Sequence, residues 1–149
     1  MNRILVSDVD GILTDGGHYY TAEGKFMKKI GSNEKDALKL LLNHFDTINF
    51  ISADKYGFDI SKKRISFEWG YQLDLITTAE RENYLKSLKG EVYFLGDGIH
   101  DANCKSVCYK FLTLLDSTPQ AKNAADFVLP TTAGKNVFAN LLFYIKEIL

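Results

Sequence analysis

The pattern of hydrophobic and polar positions divides this 149-residue chain into two alternating kinds of segment. Short runs of β-branched and aromatic residues predict strands, and segments with apolar residues at helical spacing predict helices. In chain order, the predicted strands are Arg3–Ser7, Thr47–Ile51, a short strand within Phe67–Ile76, Glu91–Leu95, Phe111–Leu115 and Phe127–Leu129. The predicted helices are Glu34–Asn43, Tyr56–Ile65, Thr77–Leu88, Ala102–Val107, Gln120–Ala125 and Lys135–Leu149.

Strands that alternate with helices predict an α/β fold with a doubly wound parallel sheet. The segment Gly16–Ile30 breaks this alternation, because its aromatic and β-branched residues flank an Ala22-Glu23-Gly24 turn. That pattern predicts a β-hairpin inserted after the first strand. No linker or repeat divides the chain, so we expect one domain over residues 1–149.

Two acidic clusters follow apolar strands. Asp8-Val9-Asp10-Gly11-Ile12-Leu13-Thr14 follows the first strand, and Gly96-Asp97-Gly98-Ile99-His100-Asp101-Ala102 follows Glu91–Leu95. In parallel α/β sheets, ligands bind at the carboxyl ends of the strands, so neighbouring strands would bring these aspartates together. Converging carboxylates raise each other's pKa, and a hard cation such as Mg²⁺ would neutralise them. The four candidate metal residues are Asp8, Asp10, Asp97 and Asp101.

The composition disfavours nucleic acid and membranes as partners. The net charge of −1 provides no global field for nucleic acid or an anionic membrane, and no apolar run is as long as a membrane span. The chain enters a strand directly after Met1-Asn2-Arg3, so we expect no signal peptide and a cytoplasmic location. The two cysteines, Cys104 and Cys108, are interpreted as small buried residues because no further cysteine would complete a metal site.

The acidic clusters carry a family resemblance. Asp8–Thr14 resembles the first motif, DxDGxxT, of the haloacid dehalogenase (HAD) superfamily of phosphotransferases, and Gly96–Ala102 is similar to its fourth motif, GDxxxD. Within that superfamily, Asp8–Gly16, Gly24-Lys25-Phe26 and Asn123–Val128 resemble the phosphatases of 3-deoxy-D-manno-octulosonate 8-phosphate and of nonulosonate 9-phosphates. The resemblance implies a Rossmann-like HAD core without a cap domain, with the hairpin at about 16–30 as its insertion.

The same resemblance assigns roles. Asp8 would be the nucleophile, and Asp10 the general acid that protonates the leaving alkoxide and then the base that activates water. Mg²⁺ would be held by Asp8, the backbone carbonyl of Asp10 and Asp97. Asp101 would support the metal, or alternatively act as an N-terminal charge on the following helix. Thr14 and Ser52 would supply hydroxyl groups to the phosphate.

Four departures from the pattern affect substrate-binding positions more than the catalytic aspartates. The third motif requires a cation, which relatives supply as a lysine; here the candidate is Arg81, flanked by Glu80 and Glu82, or else Lys55 or Lys86. A solvated helix face is the other interpretation of Arg81. Relatives read Ser-Gly-Arg where this chain reads Ser52-Ala53-Asp54, and Lys55 could replace that arginine. Gly98 replaces an aspartate, and the glycine-rich C-terminal segment is reduced to Ala133–Asn136.

The resemblance therefore predicts a Mg²⁺-dependent phosphatase of a small phosphorylated metabolite. The expected substrate is an acidic sugar phosphate of the 3-deoxy-octulosonate 8-phosphate or nonulosonate 9-phosphate type, hydrolysed through an aspartyl-phosphate intermediate. Capless relatives form tetramers in which the hairpins pack together, so a homotetramer is expected. An alternative is a non-catalytic HAD-fold binding protein that has lost the third-motif lysine. Phosphoryl transfer to an acceptor other than water would use the same residues.

Overall fold

A computed structural model describes residues 1–149. Its strands are β1 Arg3–Asp8, β2 Tyr19–Thr21, β3 Gly24–Met27, β4 Thr47–Ser52, β5 Gln72–Leu75, β6 Glu91–Leu95, β7 Lys110–Leu114 and β8 Phe127–Leu129. Six of them form a parallel sheet in the order β5-β4-β1-β6-β7-β8, while β2 and β3 pair as a separate antiparallel hairpin. The predicted α/β class with a small hairpin insertion is confirmed.

Seven helices connect or flank the strands. They are α1 Glu34–Leu41, α2 Phe58–Lys62, α3 Arg81–Ser87, α4 Ile99–Ala102, α5 Pro119–Ala124, α6 Val137–Phe143 and α7 Ile145–Ile148. Wider or tighter helical turns extend three of these helices, at Lys63–Glu68, Thr78–Glu80 and Asn103–Val107. None of the helices combines the length and apolar character that a membrane crossing requires.

Two helix predictions need correction. Helix α4 begins at Ile99 rather than at Ala102, because the Asp101 carboxylate accepts hydrogen bonds from the backbone N–H groups that precede the helix. The predicted helix Lys135–Leu149 is two helices, since the backbone leaves helical geometry at Tyr144 (φ −94°, ψ 12°).

The core lies on both faces of the sheet. Strand β1 is central, and Leu5 faces a cluster that includes residues of α1 and α6, whereas Val6 faces a second cluster with Leu85 of α3 and Cys104. Burial on both faces explains the continuous apolar runs of these strands. As a result, the carboxyl ends of β4, β1 and β6 lie side by side, and the residues that follow these three strands share one edge of the sheet.

Candidate active site

The first acidic motif leaves β1 through a tight turn. Asp8 is the last residue of the strand and is buried. Gly11 has a φ of +85°, and a Cβ there would lie 2.0 Å from Asp97 Oδ2. Only glycine combines this left-handed backbone with so close an approach to a neighbouring carboxylate. The Thr14 Oγ closes the turn by accepting hydrogen bonds from the backbone N–H groups of Gly11 and Gly16, at 3.3 and 3.2 Å.

The second acidic motif is built around Asp101. One of its carboxylate oxygens accepts hydrogen bonds from the backbone N–H groups of Asp97 and Gly98, each at 3.0 Å. Gly96 is needed beneath it, because a Cβ there would lie 2.8 Å from the Asp101 side chain. Asp101 therefore fixes the loop that presents Asp97 and also caps the start of α4.

Three carboxylates converge between the two motifs. Asp8, Asp97 and Asp101 each offer an oxygen atom, and these atoms lie within 4.8 Å of one another. Burial raises the pKa of Asp8 well above its ordinary value, although the Arg81 charge opposes that rise. Burial, followed by the charge of Asp101, raises the pKa of Asp97 to about 6. Crowded oxygen donors of this kind fit a hard divalent cation such as Mg²⁺.

Arg81 supplies a buried cation to this cluster. Its guanidinium donates to both Asp8 oxygens at 3.2 Å and to Asp101 Oδ1 at 2.5 Å. Arg81 is the first residue of α3, and a capping box between Thr77 and Glu80 precedes this helix. Burial disfavours a charged guanidinium, but the Asp8 and Asp101 carboxylates raise the pKa of Arg81. A planar fork suits such bidentate contact with a carboxylate.

The other two candidate cations lie apart from the carboxylates. Lys55 is exposed and its Nζ stands over the Tyr56 ring, 5.1 Å from the ring centroid. Lys86 is exposed on α3. Among the three candidates, the structure thus brings Arg81 to the acidic cluster.

Asp10 is not part of the three-carboxylate cluster and has its own partners. Ser52, buried at the end of β4, donates its hydroxyl to Asp10 Oδ2 at 3.1 Å. Lys28 Nζ lies 2.9 Å from Asp10 Oδ1. Both oxygens of the predicted acid–base carboxylate are therefore held, one from the sheet edge and one from the hairpin side.

Sequence reasoning missed Lys28. It follows β3, and the bridge between Thr14 and Ile30 brings this part of the chain back to the first motif. The only sequence signal was its place in the hairpin whose Gly24-Lys25-Phe26 carried the resemblance. A lysine there has the same local pattern whether it faces solvent or the sheet edge, so its contact with Asp10 depends on tertiary structure.

No protein-family model matches the chain. The chain is 27% identical over 146 residues to the 3-deoxy-D-manno-octulosonate 8-phosphate phosphatase KdsC of Haemophilus influenzae. The alignment covers 93% of this chain and 79% of that protein.

Solved structures of such phosphatases share the fold of this chain. The cobalt-bound deoxy-D-mannose-octulosonate 8-phosphate phosphatase from Haemophilus influenzae matches with a TM-score of 0.84 and 24% identity, covering 99% of this chain and 88% of that chain. The Moraxella catarrhalis 3-deoxy-D-manno-octulosonate 8-phosphate phosphatase, in complex with magnesium, phosphate and KDO, matches with a TM-score of 0.79 and 17% identity, covering 99% and 87%. The predicted HAD core and the resemblance to these phosphatases are confirmed.

Proposed function

We propose that this HAD-fold chain is a Mg²⁺-dependent phosphoric monoester hydrolase that acts on a small sugar phosphate. The observation that carries the proposal is the meeting of Asp8, Asp97 and Asp101 with the Arg81 guanidinium at one sheet edge. The similarity to KdsC supports the substrate class. For the substrate itself we propose 3-deoxy-octulosonate 8-phosphate or a nonulosonate 9-phosphate.

The chemistry follows from the chain's own side chains. An Asp8 oxygen attacks phosphorus, and the bond from phosphorus to the sugar oxygen breaks as Asp10 gives that oxygen a proton. Asp10 then takes a proton from water, whose oxygen attacks the aspartyl-phosphate and releases inorganic phosphate and Asp8. Arg81 balances the charge of Asp8 throughout.

Asp8, Asp97 and Asp101 would hold Mg²⁺, with the backbone carbonyl of Asp10 as a further expected ligand. When bound, Mg²⁺ shields the anionic nucleophile from the anionic phosphate. Thr14 and Ser52 remain candidates for phosphate contact, although their hydroxyl groups already bond within the site. Lys55 is a candidate for contact with the outer part of a substrate, because it is exposed.

The alternative of a non-catalytic binding protein is not favoured. That alternative was suggested by the absence of the third-motif lysine, but Arg81 provides a cation beside Asp8 instead. Transfer to an acceptor other than water would use the same residues, and adding acceptor alcohols to the assay would reveal it as a phosphorylated alcohol. A homotetramer and a cytoplasmic location stay predictions from the sequence.

The test is phosphate release from a panel of sugar phosphates that includes both proposed substrate types. We expect release with Mg²⁺, none with EDTA, and a loss of more than about 10³-fold in Asp8→Asn, because the nucleophile is gone. Asp59→Asn is the matched control, since Asp59 is exposed on α2. Folded, Mg²⁺-bound protein that releases phosphate from no ester would overturn the proposal.

A further inference from the structure

Two lysines of the hairpin side are buried, which is unusual for this residue type. The side chain of Lys25 is 6% exposed and that of Lys28 is 3% exposed. A buried ammonium group is costly unless oxygen atoms surround it. Both lysines meet this requirement through the same carboxylate, Asp54, at 2.6 Å for Lys25 and 3.1 Å for Lys28.

Asp54 is a fixed anion at the carboxyl end of β4. Its Oδ1 accepts from the backbone N–H of Gly57 at 3.1 Å, and its own backbone N–H donates to Ser52 Oγ at 3.1 Å. Burial opposes ionisation, but hydrogen bonds from Lys25 and Lys28 lower the pKa of Asp54 to about 2. The acid that replaces the relatives' arginine thus anchors two cations.

Lys28 differs from Lys25 in what else it contacts. Besides Asp54, its ammonium group donates to Ser61 Oγ at 2.7 Å and pairs with Asp10 Oδ1 at 2.9 Å. These three oxygen atoms match the three N–H donors of an ammonium group. The charge is therefore fixed in place, with one of its donors directed at Asp10.

We propose that Lys28 is a positioning residue for Asp10, and this rests on the proposed phosphatase function. The Asp10 side chain is one-third exposed, and Lys28 and Ser52 hold one oxygen each. Proton transfer to a leaving oxygen requires the carboxyl group within hydrogen-bond reach, and a misplacement of about 1 Å can cost about 10²-fold in rate. Lys28 keeps Asp10 directed at the leaving group.

The leaving group provides the sharpest test. An alkoxide needs a proton from Asp10 as it departs, whereas p-nitrophenolate departs without one. The value of kcat/KM would be measured with Mg²⁺ for the sugar phosphate of the panel that is hydrolysed best and for p-nitrophenyl phosphate. We expect Lys28→Met to lower the first by about 10²-fold and the second by less than about threefold, because only the first needs an oriented acid.

Lys25→Met is the matched control, because Lys25 shares Asp54 and the burial of Lys28 but does not pair with Asp10. We expect it to change both kcat/KM values by less than about threefold. Equal losses on the two esters in Lys28→Met, or losses no larger than those of Lys25→Met, would overturn the proposal. If Lys28→Met does not fold, Ser61→Ala removes the hydroxyl that also holds the Lys28 ammonium group, and it should show a smaller loss with the same dependence on the leaving group.

Crystal structures of the wild type, Lys28→Met and Lys25→Met provide a readout that does not depend on turnover. We expect the hydrogen bond between the Asp10 carboxylate and Ser52 to be lost in Lys28→Met and kept in the wild type and in Lys25→Met. An unmoved Asp10 would overturn the positioning role even in an active enzyme. Conversely, a folded wild type that hydrolyses no ester of the panel would refute the phosphatase function, and the position of Asp10 in Lys28→Met would still decide whether Lys28 positions Asp10.

Discussion

At the scale of single residues, Arg81 does two things with one guanidinium. It pairs with both oxygens of Asp8 and with one oxygen of Asp101, all of them buried. A buried carboxylate that loses its partner keeps its desolvation cost without the compensating attraction. Arg81 thus stabilises the fold in addition to its proposed role beside the nucleophile.

We therefore predict that Arg81→Ala, measured by urea unfolding in EDTA, lowers the free energy of unfolding by about 3–5 kcal/mol. Mg²⁺ should recover part of this loss, because it supplies positive charge to the same carboxylates. Arg64→Ala is the control, since Arg64 forms an exposed pair with Glu68 at 3.1 Å and should cost less than about 1 kcal/mol. A cost for Arg81→Ala as small as the control's would contradict this view of the site.

Asp97 is the clearest test of the metal cluster. Burial and Asp101 raise its pKa to about 6, so its charge is unfavourable unless a cation is bound. We predict that Asp97→Asn is at least as stable as the wild type in EDTA, but loses most of the rise in Tm that Mg²⁺ produces. Thermal unfolding with and without Mg²⁺ measures both effects, with Asp59→Asn as the control. Equal stabilisation of the wild type and Asp97→Asn by Mg²⁺ would refute a role for Asp97 as ligand.

At the scale of elements, α1 meets α6 through a buried acid. Glu34 begins α1, and its Oε2 accepts only a long hydrogen bond, 3.4 Å, from the Phe138 N–H of α6. Its other oxygen, Oε1, is buried without a partner. Burial raises the pKa of Glu34 from 4.5 to about 7. The protonated form is therefore favoured in the folded state.

This shift has a definite sign for stability. Between about pH 4.5 and pH 7 the folded state binds more protons than the unfolded state, so the free energy of unfolding falls as the pH rises. We predict a loss on the order of 3 kcal/mol across this range that Glu34→Gln does not show. Urea unfolding at a series of pH values compares the two, with exposed Glu147→Gln as control. Parallel curves for the wild type and Glu34→Gln would contradict the prediction.

Strands and acidic motifs could be predicted from the sequence because their signals are local. An apolar run followed by Asp8-Val9-Asp10-Gly11 defines both a buried strand and a turn with carboxylates. Arg81 could not be decided locally, since a helix start between two glutamates looks the same whether it faces water or the sheet edge. Lys28 was missed for the same reason: its partner Asp54 lies 26 positions away in the chain.

At the scale of the whole molecule, the hairpin carries exposed apolar residues beside an uncapped site. Tyr20, Phe26 and Met27 are all exposed on β2 and β3, with Phe26 at 54%. Apolar residues exposed together indicate an interaction surface, and the homotetramer expected from the sequence resemblance makes other copies of this chain the predicted partners. Because Lys28 follows β3 directly, packing between hairpins would also restrain the residue that contacts Asp10.

We predict that the wild type has a mass of four times the chain's 16.8 kDa in light scattering. The mass should be lower in Phe26→Asp, because a buried charge at a contact between hairpins opposes assembly. Phe67→Asp is the control, since Phe67 is 78% exposed and belongs to the helical turn Lys63–Glu68, not to the hairpin. If a neighbouring subunit closes the site, Phe26→Asp should lower kcat/KM for a sugar phosphate more than for p-nitrophenyl phosphate, which offers less surface to the neighbour. A wild type of 16.8 kDa would rule out the assembly, and equal losses on the two esters would rule out closure by a neighbour.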